Sequence, residues 1–264
     1  MSGPQVSTYS DVELASWAER IDRAHRARAL LEPISNKGTL SIAQAYRIQR
    51  LLTARRLAAG ATLVGWKLGY TAAAMRQQMR VNEPNFGPLT SQMLLADGES
   101  PPPSLTQPRV EPEIAVRLIT DLPPDCTLAQ AAAAVGSAHA ALEIVDSVWI
   151  DYQFTLADNT ADGSSAAAVV IGPELPSRDH LDHVEVKLLR NGVPVGTGRG
   201  ADALGHPLQA LCWLARALPQ QDNTVRAGDI VITGGLTSAV PLRPGDVIRA
   251  TFGKDIEVST SLPL

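Results

Sequence analysis

EPEIAVRL, residues 111–118, is the stretch that decides the fold. In an extended strand, residues two apart point to the same face. Glu111 and Glu113 therefore project together, while Ile114 and Val116 enter the core from the opposite face. Two adjacent carboxylates repel each other unless a cation lies between them. The stretch thus predicts a strand that carries either a cation site or a solvated acidic edge.

A second predicted strand carries a lone carboxylate. In AALEIV, residues 140–145, Glu143 interrupts an apolar run. Burying a single charge is costly without a partner, so Glu143 either pairs with a basic side chain or completes a set of metal ligands. Three carboxylates suit a hard, oxygen-preferring ion such as Mg²⁺ or Mn²⁺.

Lys67 lies in a similar apolar setting. In VGWKLGY, residues 64–70, it stands between Gly65 and Gly69, and glycines let a ligand approach the backbone closely. A lysine can also bury its aliphatic stem and keep its ammonium group in water. The segment therefore predicts either a lysine of a functional site or a surface lysine with a buried stem.

The chain divides into a helical part and a β-rich part. Residues 1–60 contain two helical patterns, each opened by capping-box spacing, at Ser10-x-x-Glu13 and Ser41-x-x-Gln44. From residue 61, short strand patterns alternate with Gly and Pro. We predict an α+β chain with a helical subdomain at 1–60 and a β domain at 61–264. The elements predicted in the second part are strands at 63–68, 110–119, 140–145, 184–189, 193–195, 229–233, 247–252 and 256–260, and helices at 71–79, 127–138 and from 207 onward.

Composition argues against several classes of protein. The net charge of −4 over 264 residues, with 4% aromatics, disfavours nucleic acid or an anionic membrane as a partner. No stretch reaches about 18 uninterrupted apolar residues, so none is expected to cross a membrane. Residues 1–11 lack the pattern of a secretion signal, and Cys126 and Cys212 are interpreted as buried thiols. We therefore expect a cytoplasmic protein.

Seven motifs occur in a fixed order along the chain. They are Gly65-x-Lys67-x-Gly69-x-Thr71, Glu111-x-Glu113-Ile114-Ala115, Leu142-Glu143-x-x-Asp146-Ser147, Ala161-Asp162, Leu204-Gly205-His206-Pro207, Gly228-Asp229-x-x-x-Thr233-Gly234 and Pro244-Gly245-Asp246. Together they resemble the family of 2-oxopent-4-enoate hydratases and 4-oxalocrotonate decarboxylases in the fumarylacetoacetate hydrolase superfamily. The resemblance is close from residue 61 to the C-terminus and looser before it.

The resemblance implies a mixed β-roll with a small N-terminal helical subdomain, assembled as a homo-oligomer. It implies a small 2-oxo or 2-hydroxy dienoic acid as the substrate, in the catabolism of aromatic compounds, and Mg²⁺ or Mn²⁺ as the cofactor. The site residues that it implies are Glu111, Glu113 and Glu143 as metal ligands, Lys67 and Asp162 as catalytic residues, and Leu68, Gly69 and Ser165 as substrate-binding residues.

Three positions depart from the family pattern. Asn82 and Asn85 stand where relatives often carry aspartate, and Gly163 stands where relatives carry asparagine. Asparagine cannot titrate as a carboxylate does. If such an aspartate handles water in a hydratase, Asp162 or Glu83 has to replace it here.

Several functions follow as hypotheses. A hydratase would add water at C4 of a 2-hydroxy-2,4-dienoate and give a 4-hydroxy-2-oxo acid. A decarboxylase would remove the far carboxylate of a 2-oxo-3-enedioate and needs no base to activate water. Hydrolytic C–C cleavage needs such a base, for which His139 and His206 are candidates. A non-catalytic partner subunit has no physical reason to keep three repelling carboxylates beside Lys67. We favour hydration over decarboxylation.

Overall fold

The computed structural model describes residues 9–264, except for the side chains at positions 74, 78 and 79. Residues 1–8, in which we expect no secretion signal, lie outside the described residues. In the described part, no helix is long and apolar enough to cross a membrane. The helices are α1 (Asp11–Ala27), α2 (Ile42–Ala58), α3 (Ala73–Met79), α4 (Leu128–Ala134), α5 (Leu156–Ala161) and α6 (Pro207–Ala217). The strands are β1 (Leu63–Gly69), β2 (Asn85–Thr90), β3 (Leu94–Ala96), β4 (Arg109–Leu118), β5 (Val135–Val145), β6 (Ala166–Glu174), β7 (Glu185–Arg190), β8 (Val193–Arg199), β9 (Ile230–Ile232), β10 (Val240–Pro241), β11 (Val247–Phe252) and β12 (Ile256–Ser261).

Both N-terminal helices begin where their capping boxes predict. Ser10 and Ser41 each accept a hydrogen bond from the backbone of the third helical residue, whose side chain returns to the cap backbone. The apolar face of α1 packs on α2 and on Trp149 and Ala161, which come from the β-rich part. The two parts therefore share this apolar cluster, and the domain boundary at residue 60 stays a prediction.

The β-rich part contains two sheets, which confirms the α+β class. The large sheet has the order β2-β1-β9-β4-β5-β6-β3, with β10 also paired to β4, and the small sheet has the order β12-β11-β7-β8. Ile114 and Val116 of β4 lie in one apolar cluster with Leu188 of β7, Ile248 of β11 and Leu211 of α6. This core covers one face of β4 and β5. The opposite face carries Glu111, Glu113 and Glu143 beside a smaller apolar cluster that includes Ala115 and Ala141.

The prediction of one helix over 127–138 is wrong in its last four residues. Helix α4 ends at Ala134, and β5 begins at Val135 and pairs with β4 as far as Val145. Helix propensities differ by at most about 0.7 kcal/mol per residue among ordinary amino acids. Pairing along the whole of β4, with Ala138 and Ala140 fully buried, outweighs that local preference.

Candidate metal centre and its cavity

Three carboxylates converge on the polar face of β4 and β5. Glu111 and Glu143 are directly opposite each other in the antiparallel register, which brings their Cβ atoms to about 5 Å. Glu113 follows two residues later on the same face. One oxygen from each of the three carboxylates lies within 4.8 Å of the others. The structure therefore brings together the three residues that the sequence predicts as ligands.

The hydrogen bonds of this cluster leave several buried oxygens without a donor. Glu113 Oε2 accepts a hydrogen bond of 2.6 Å from the backbone N–H of Gly234. Glu113 Oε1 and Glu143 Oε1 accept none, and Glu143 Oε2 has only the Lys67 ammonium, 3.1 Å away, as a partner, although Glu113 and Glu143 are fully buried. An unsatisfied buried acceptor costs about 1–3 kcal/mol. A cation bound among these oxygens would remove that cost, and an all-oxygen donor set suits a hard divalent ion.

The acidity of the cluster reflects its burial. Burial, followed by the charge of Glu143, raises the pKa of Glu111 to about 7. Burial and the neighbouring carboxylates raise the pKa of Glu113 well above its ordinary value. Burial also raises the pKa of Glu143, against the opposing effect of Lys67. Without a metal the cluster therefore retains protons near neutral pH, and a bound cation would displace them.

Lys67 is buried beside the carboxylates. Its Nζ lies 3.1 Å from Glu143 Oε2 and donates hydrogen bonds to the carbonyl oxygen and to Oγ of Ser164, at 3.0 and 3.2 Å. Burial lowers the pKa of Lys67, but the three glutamates outweigh burial and raise it above its ordinary value. Lys67 is therefore an ammonium ion in the metal-free protein.

Asn85 belongs to a neutral hydrogen-bond network behind Lys67. Ser164 Oγ donates to Asn85 Oδ1 at 2.9 Å, and Asn85 Nδ2 donates to Asn159 Oδ1 at 3.0 Å. Asn159 Nδ2 in turn donates to Ser165 Oγ at 2.9 Å. An ionised aspartate at position 85 could accept from Ser164 but could not donate to Asn159. Asn85 therefore affects the hydrogen bonds of Ser164, which holds Lys67, and does not contact the three carboxylates.

A cavity of about 320 Å³ opens over the cluster, within the size range of small-molecule sites. Five predicted site residues line it, namely Lys67, Leu68, Gly69, Glu111 and Ser165. Thr71 also lines it, and its buried Oγ1 has no hydrogen-bond partner in the described structure, so this hydroxyl is available to a ligand. The wall further includes Tyr70, Met75, Arg109, Tyr152, Phe154, Asn159 and Ser164.

The described residues that line the cavity include no histidine. The Nδ1 atom of His139 lies 3.2 Å from the carbonyl oxygen of Gly172, and its Nε2 lies 2.9 Å from Ser137 Oγ. His206 caps α6 and accepts a hydrogen bond from the N–H of Leu208. Neither candidate base for hydrolytic C–C cleavage is therefore in contact with the cavity.

Asp162 is close to the cavity but does not line it. Its carboxylate is fully buried, and the Oδ1 atom lies 2.8 Å from His25 Nε2. Its Oδ2 accepts hydrogen bonds from Ser165 Oγ and Ser147 Oγ, both at 3.3 Å, and from the N–H of Val148 at 3.2 Å. Four protein groups thus contact this carboxylate, which lies outside the cavity wall, and the direct role of Asp162 with water stays a prediction.

The other acid proposed from the sequence is also absent from the cavity wall. Glu83 and its neighbour Asn82 are exposed, and neither lines the cavity. Among the described residues, the carboxylates in the wall are Glu111 and Asp151. A water molecule in the cavity is therefore surrounded mainly by hydroxyl groups and by the ammonium group of Lys67, and by few carboxylates.

The cavity wall is rich in strained backbone. Five non-glycine residues with positive φ line it, namely Tyr70, Asp151, Tyr152, Ser164 and Ser165, with φ between 53 and 58°. Such residues each cost about 1–3 kcal/mol and persist where the surroundings fix them, commonly at functional sites. The strain independently indicates that this cavity is functional.

Sequence reasoning missed several residues of this site. Arg109 lies two residues before Glu111, so the same alternation that pairs Glu111 with Glu113 could have identified it. Tyr152 comes from a loop and His25 from α1, and no local pattern connects either one to the cavity.

Comparisons with known proteins agree with this architecture. The family model described as fumarylacetoacetate (FAA) hydrolase C-terminal matches residues 62–260. A 2-keto-4-pentenoate hydratase of Paraburkholderia xenovorans (strain LB400) is 40% identical over 214 residues, which are 80% of each chain. A 4-oxalocrotonate decarboxylase of Pseudomonas sp is 34% identical over 239 residues, 90% of this chain and 93% of the relative.

A solved structure extends the match to the N-terminal helices. It is the 4-oxalocrotonate decarboxylase of Pseudomonas putida G7, complexed with magnesium and adipate, and is 30% identical with a TM-score of 0.91. The match covers 97% of this chain and 99% of that one. The predicted family and fold are thereby confirmed: the chain belongs to the fumarylacetoacetate hydrolase family.

Proposed function

We propose that this protein is a metal-dependent hydratase that adds water to a 2-hydroxy-2,4-dienoate and releases a 4-hydroxy-2-oxo acid. The observation that carries the proposal is the set of three convergent carboxylates with Lys67 beneath one cavity. The 40% identity to a 2-keto-4-pentenoate hydratase supports it.

The carboxylates of Glu111, Glu113 and Glu143 would hold the ion, which we propose to be Mg²⁺ or Mn²⁺. The magnesium named in the related decarboxylase structure supports this choice. When bound, such an ion supplies Lewis acidity toward the 2-oxygen of the substrate. The unpartnered oxygens, Glu113 Oε1 and Glu143 Oε1, favour a resident ion over a permanently protonated cluster.

Lys67 would place a positive charge near the 2-oxygen. Ser164 fixes its Nζ through two hydrogen bonds, and the salt bridge with Glu143 favours its ammonium form. In that form it can stabilise negative charge that develops when the 2-hydroxyl loses its proton, and it can return a proton to the carbon chain. Protonation at C5 then gives a conjugated 2-oxo-3-enoate, to which water adds at C4.

Hydroxyl groups in the wall would orient the substrate and the water. Burial raises the pKa of Tyr70, so its phenol remains a donor. Ser165 Oγ receives a hydrogen bond from Asn159 and donates one to Asp162. We therefore propose that Asp162 is a positioning residue that acts through Ser165.

Decarboxylation is the second candidate function. The 4-oxalocrotonate decarboxylase structure covers nearly the whole chain at a TM-score of 0.91. The cavity also offers few acids to activate water, and loss of CO₂ from a 2-oxo-3-enedioate does not require one.

One experiment separates the two reactions. Purified protein loaded with Mg²⁺ or Mn²⁺ is given a monocarboxylic and a dicarboxylic 2-hydroxy-2,4-dienoate, and ultraviolet loss, CO₂ and uptake of ¹⁸O from water are measured. Hydration consumes the dienol with ¹⁸O in the product and no CO₂. Stoichiometric CO₂ without ¹⁸O uptake would establish the decarboxylase instead. No turnover with either metal would contradict both functions.

Three further properties are part of the proposal. A cytoplasmic location follows from the composition, and assembly as a homo-oligomer and a place in aromatic catabolism follow from the family resemblance. Equilibrium sedimentation of the purified chain tests the assembly, and a monomer at all accessible concentrations would contradict it.

A further inference from the structure

Arg109 introduces a second cation into the cavity wall. It is the first residue of β4 and shares the strand face of Glu111, two residues later. One two-residue repeat separates their backbones by roughly 7 Å. The cavity therefore has a proposed metal end at the three glutamates and a cationic end at Arg109.

The guanidinium group of Arg109 is held in a fixed orientation. Its central carbon lies 4.1 Å from the centre of the Tyr152 ring. The Tyr152 hydroxyl donates to the carbonyl oxygens of Gln107 and Val145, both at 3.1 Å, and Val145 is the register partner of Arg109. A guanidinium that stacks on an aromatic face keeps the N–H groups at its edge available for a planar anion.

Within the part of the chain that the structure describes, those N–H groups have no anionic partner. Among the described residues, no carboxylate oxygen lies within 4.0 Å of Arg109 and no acceptor receives a hydrogen bond from its side chain. The nearby Asp151 lines the same wall but does not meet that distance. At the proposed metal end, three carboxylates, one divalent ion and protonated Lys67 sum to zero. Beyond that balance the described wall carries Arg109 and the solvent-exposed Asp151, which do not pair with each other, so the guanidinium group remains available to an anion in the cavity.

We propose that Arg109 binds a second carboxylate at the far end of the substrate, so that this protein acts on dicarboxylic 2-hydroxydienoates. This inference rests on the proposed function and specifies its substrate class. An arginine paired edge-on with a carboxylate makes two parallel charge-assisted hydrogen bonds. Such a contact stabilises the carboxylate in the ground state. It therefore suits a distal carboxylate that is retained, as in hydration, better than one that leaves as CO₂.

A matched pair of substrates tests the subsite. We compare 2-hydroxyhepta-2,4-diene-1,7-dioate with 2-hydroxyhepta-2,4-dienoate, which has the same chain length but lacks the second carboxylate. The wild-type protein should prefer the diacid in kcat/KM by about tenfold or more, the scale of hydrogen bonds between charged groups. Arg109→Met should lower kcat/KM for the diacid at least about tenfold more than for the monoacid. Arg109→Lys, which keeps the charge but not the planar fork, should fall between them.

Arg117→Met is the matched control, because Arg117 is an exposed arginine at the other end of β4 and does not line the cavity. It should leave the ratio between the two substrates unchanged. Equal loss of both substrates in Arg109→Met, together with a lower Tm, would assign Arg109 a purely structural role. A wild-type protein without preference for the diacid would also overturn the proposal.

Binding without turnover distinguishes failure of the subsite from failure of the proposed reaction. Calorimetry of the Mg²⁺-loaded protein with adipate and with hexanoate requires no chemistry. Adipate should bind about tenfold or more tightly than hexanoate to the wild type, and Arg109→Met should remove that difference. If this holds while no dienol is consumed, the subsite stands and the proposed reaction fails. Equal affinities for adipate in the wild type and Arg109→Met would refute the subsite whatever the reaction.

Discussion

The contact between His25 and Asp162 joins the first helix to the cavity, and its removal gives a quantitative prediction. His25 Nε2 lies 2.8 Å from Asp162 Oδ1, which is the shortest contact of that buried carboxylate. We expect His25→Ala to lower both the stability of the fold and kcat, because Asp162 in turn orients the hydroxyl of Ser165.

The size of the effect follows from burial. A hydrogen bond to a charged group contributes about 1.5–3 kcal/mol. The Asp162 side chain is fully buried, but that of His25 is 21% exposed, so water can replace part of the lost contact. We therefore expect a loss near the lower limit, about 1.5 kcal/mol, which corresponds to a fall in Tm of roughly 3–6 °C for a chain of this size. A displaced Ser165 hydroxyl should lower kcat by roughly tenfold or more.

Urea unfolding and steady-state kinetics measure the two effects on the metal-loaded protein. His25→Gln retains an N–H donor and should restore most of both losses, while His183→Ala, at a side chain that is 77% exposed, should change neither. A double-mutant cycle with Asp162→Asn should give a coupling of about 0.5 kcal/mol or more. Additive effects, or an unchanged kcat in His25→Ala, would refute the reasoning.

Three further outcomes follow from the metal centre. Glu113→Gln should weaken Mn²⁺ binding by about tenfold or more in calorimetry, and unchanged affinity would show that Glu113 is not a ligand. Lys67→Met should lower kcat by roughly 10²-fold while the Tm of the metal-loaded protein changes little; full activity, or an unfolded protein, would contradict this role. Because the folded, metal-free protein holds the pKa of Glu111 at about 7 instead of 4.5, its stability should decrease as pH rises between those values. Metal affinity changes in the opposite direction: as pH falls below about 7, it should weaken by up to about tenfold per pH unit, because the metal must displace the proton. A flat calorimetric pH profile would argue against proton release from Glu111, and Glu111→Gln provides the control.

The sequence predicted those parts of the site that depend on local alternation. Side chains alternate between the two faces of a strand, so one face of β4 and β5 carries Glu111, Glu113 and Glu143. The apolar residues on the other face of β4 were predicted to enter the core. The wrongly predicted helix at 127–138 shows the limit of the same reasoning, since alanines favour helix until a long neighbouring strand requires a partner.

The catalytic role of Asp162 stays a prediction, and its side chain lies outside the cavity wall. Its closeness to Ser165 in sequence suggested that both side chains reach the substrate. The residues between and including Gly163 and Ser165 all have positive φ, and this turn carries Ser165 into the cavity wall while Asp162 faces His25. Non-glycine residues rarely adopt this conformation, so no pattern in the sequence predicts the reversal.

The location of strain and of unsatisfied charge supports a single interpretation of the site. Three consecutive residues with positive φ end at Ser165, and two more lie at Asp151 and Tyr152. Both turns line a cavity beside the carboxylate cluster, in which Glu113 Oε1 and Glu143 Oε1 have no hydrogen-bond donor. A chain selected only for stability would relax these features, since each costs about 1 kcal/mol or more. The rigid core on the opposite face of β4 and β5 and the helices packed on Trp149 allow the fold to tolerate them. We infer that the strained turns hold Ser165 and Tyr152 in position for a ligand, and that a metal ion completes the carboxylates below them.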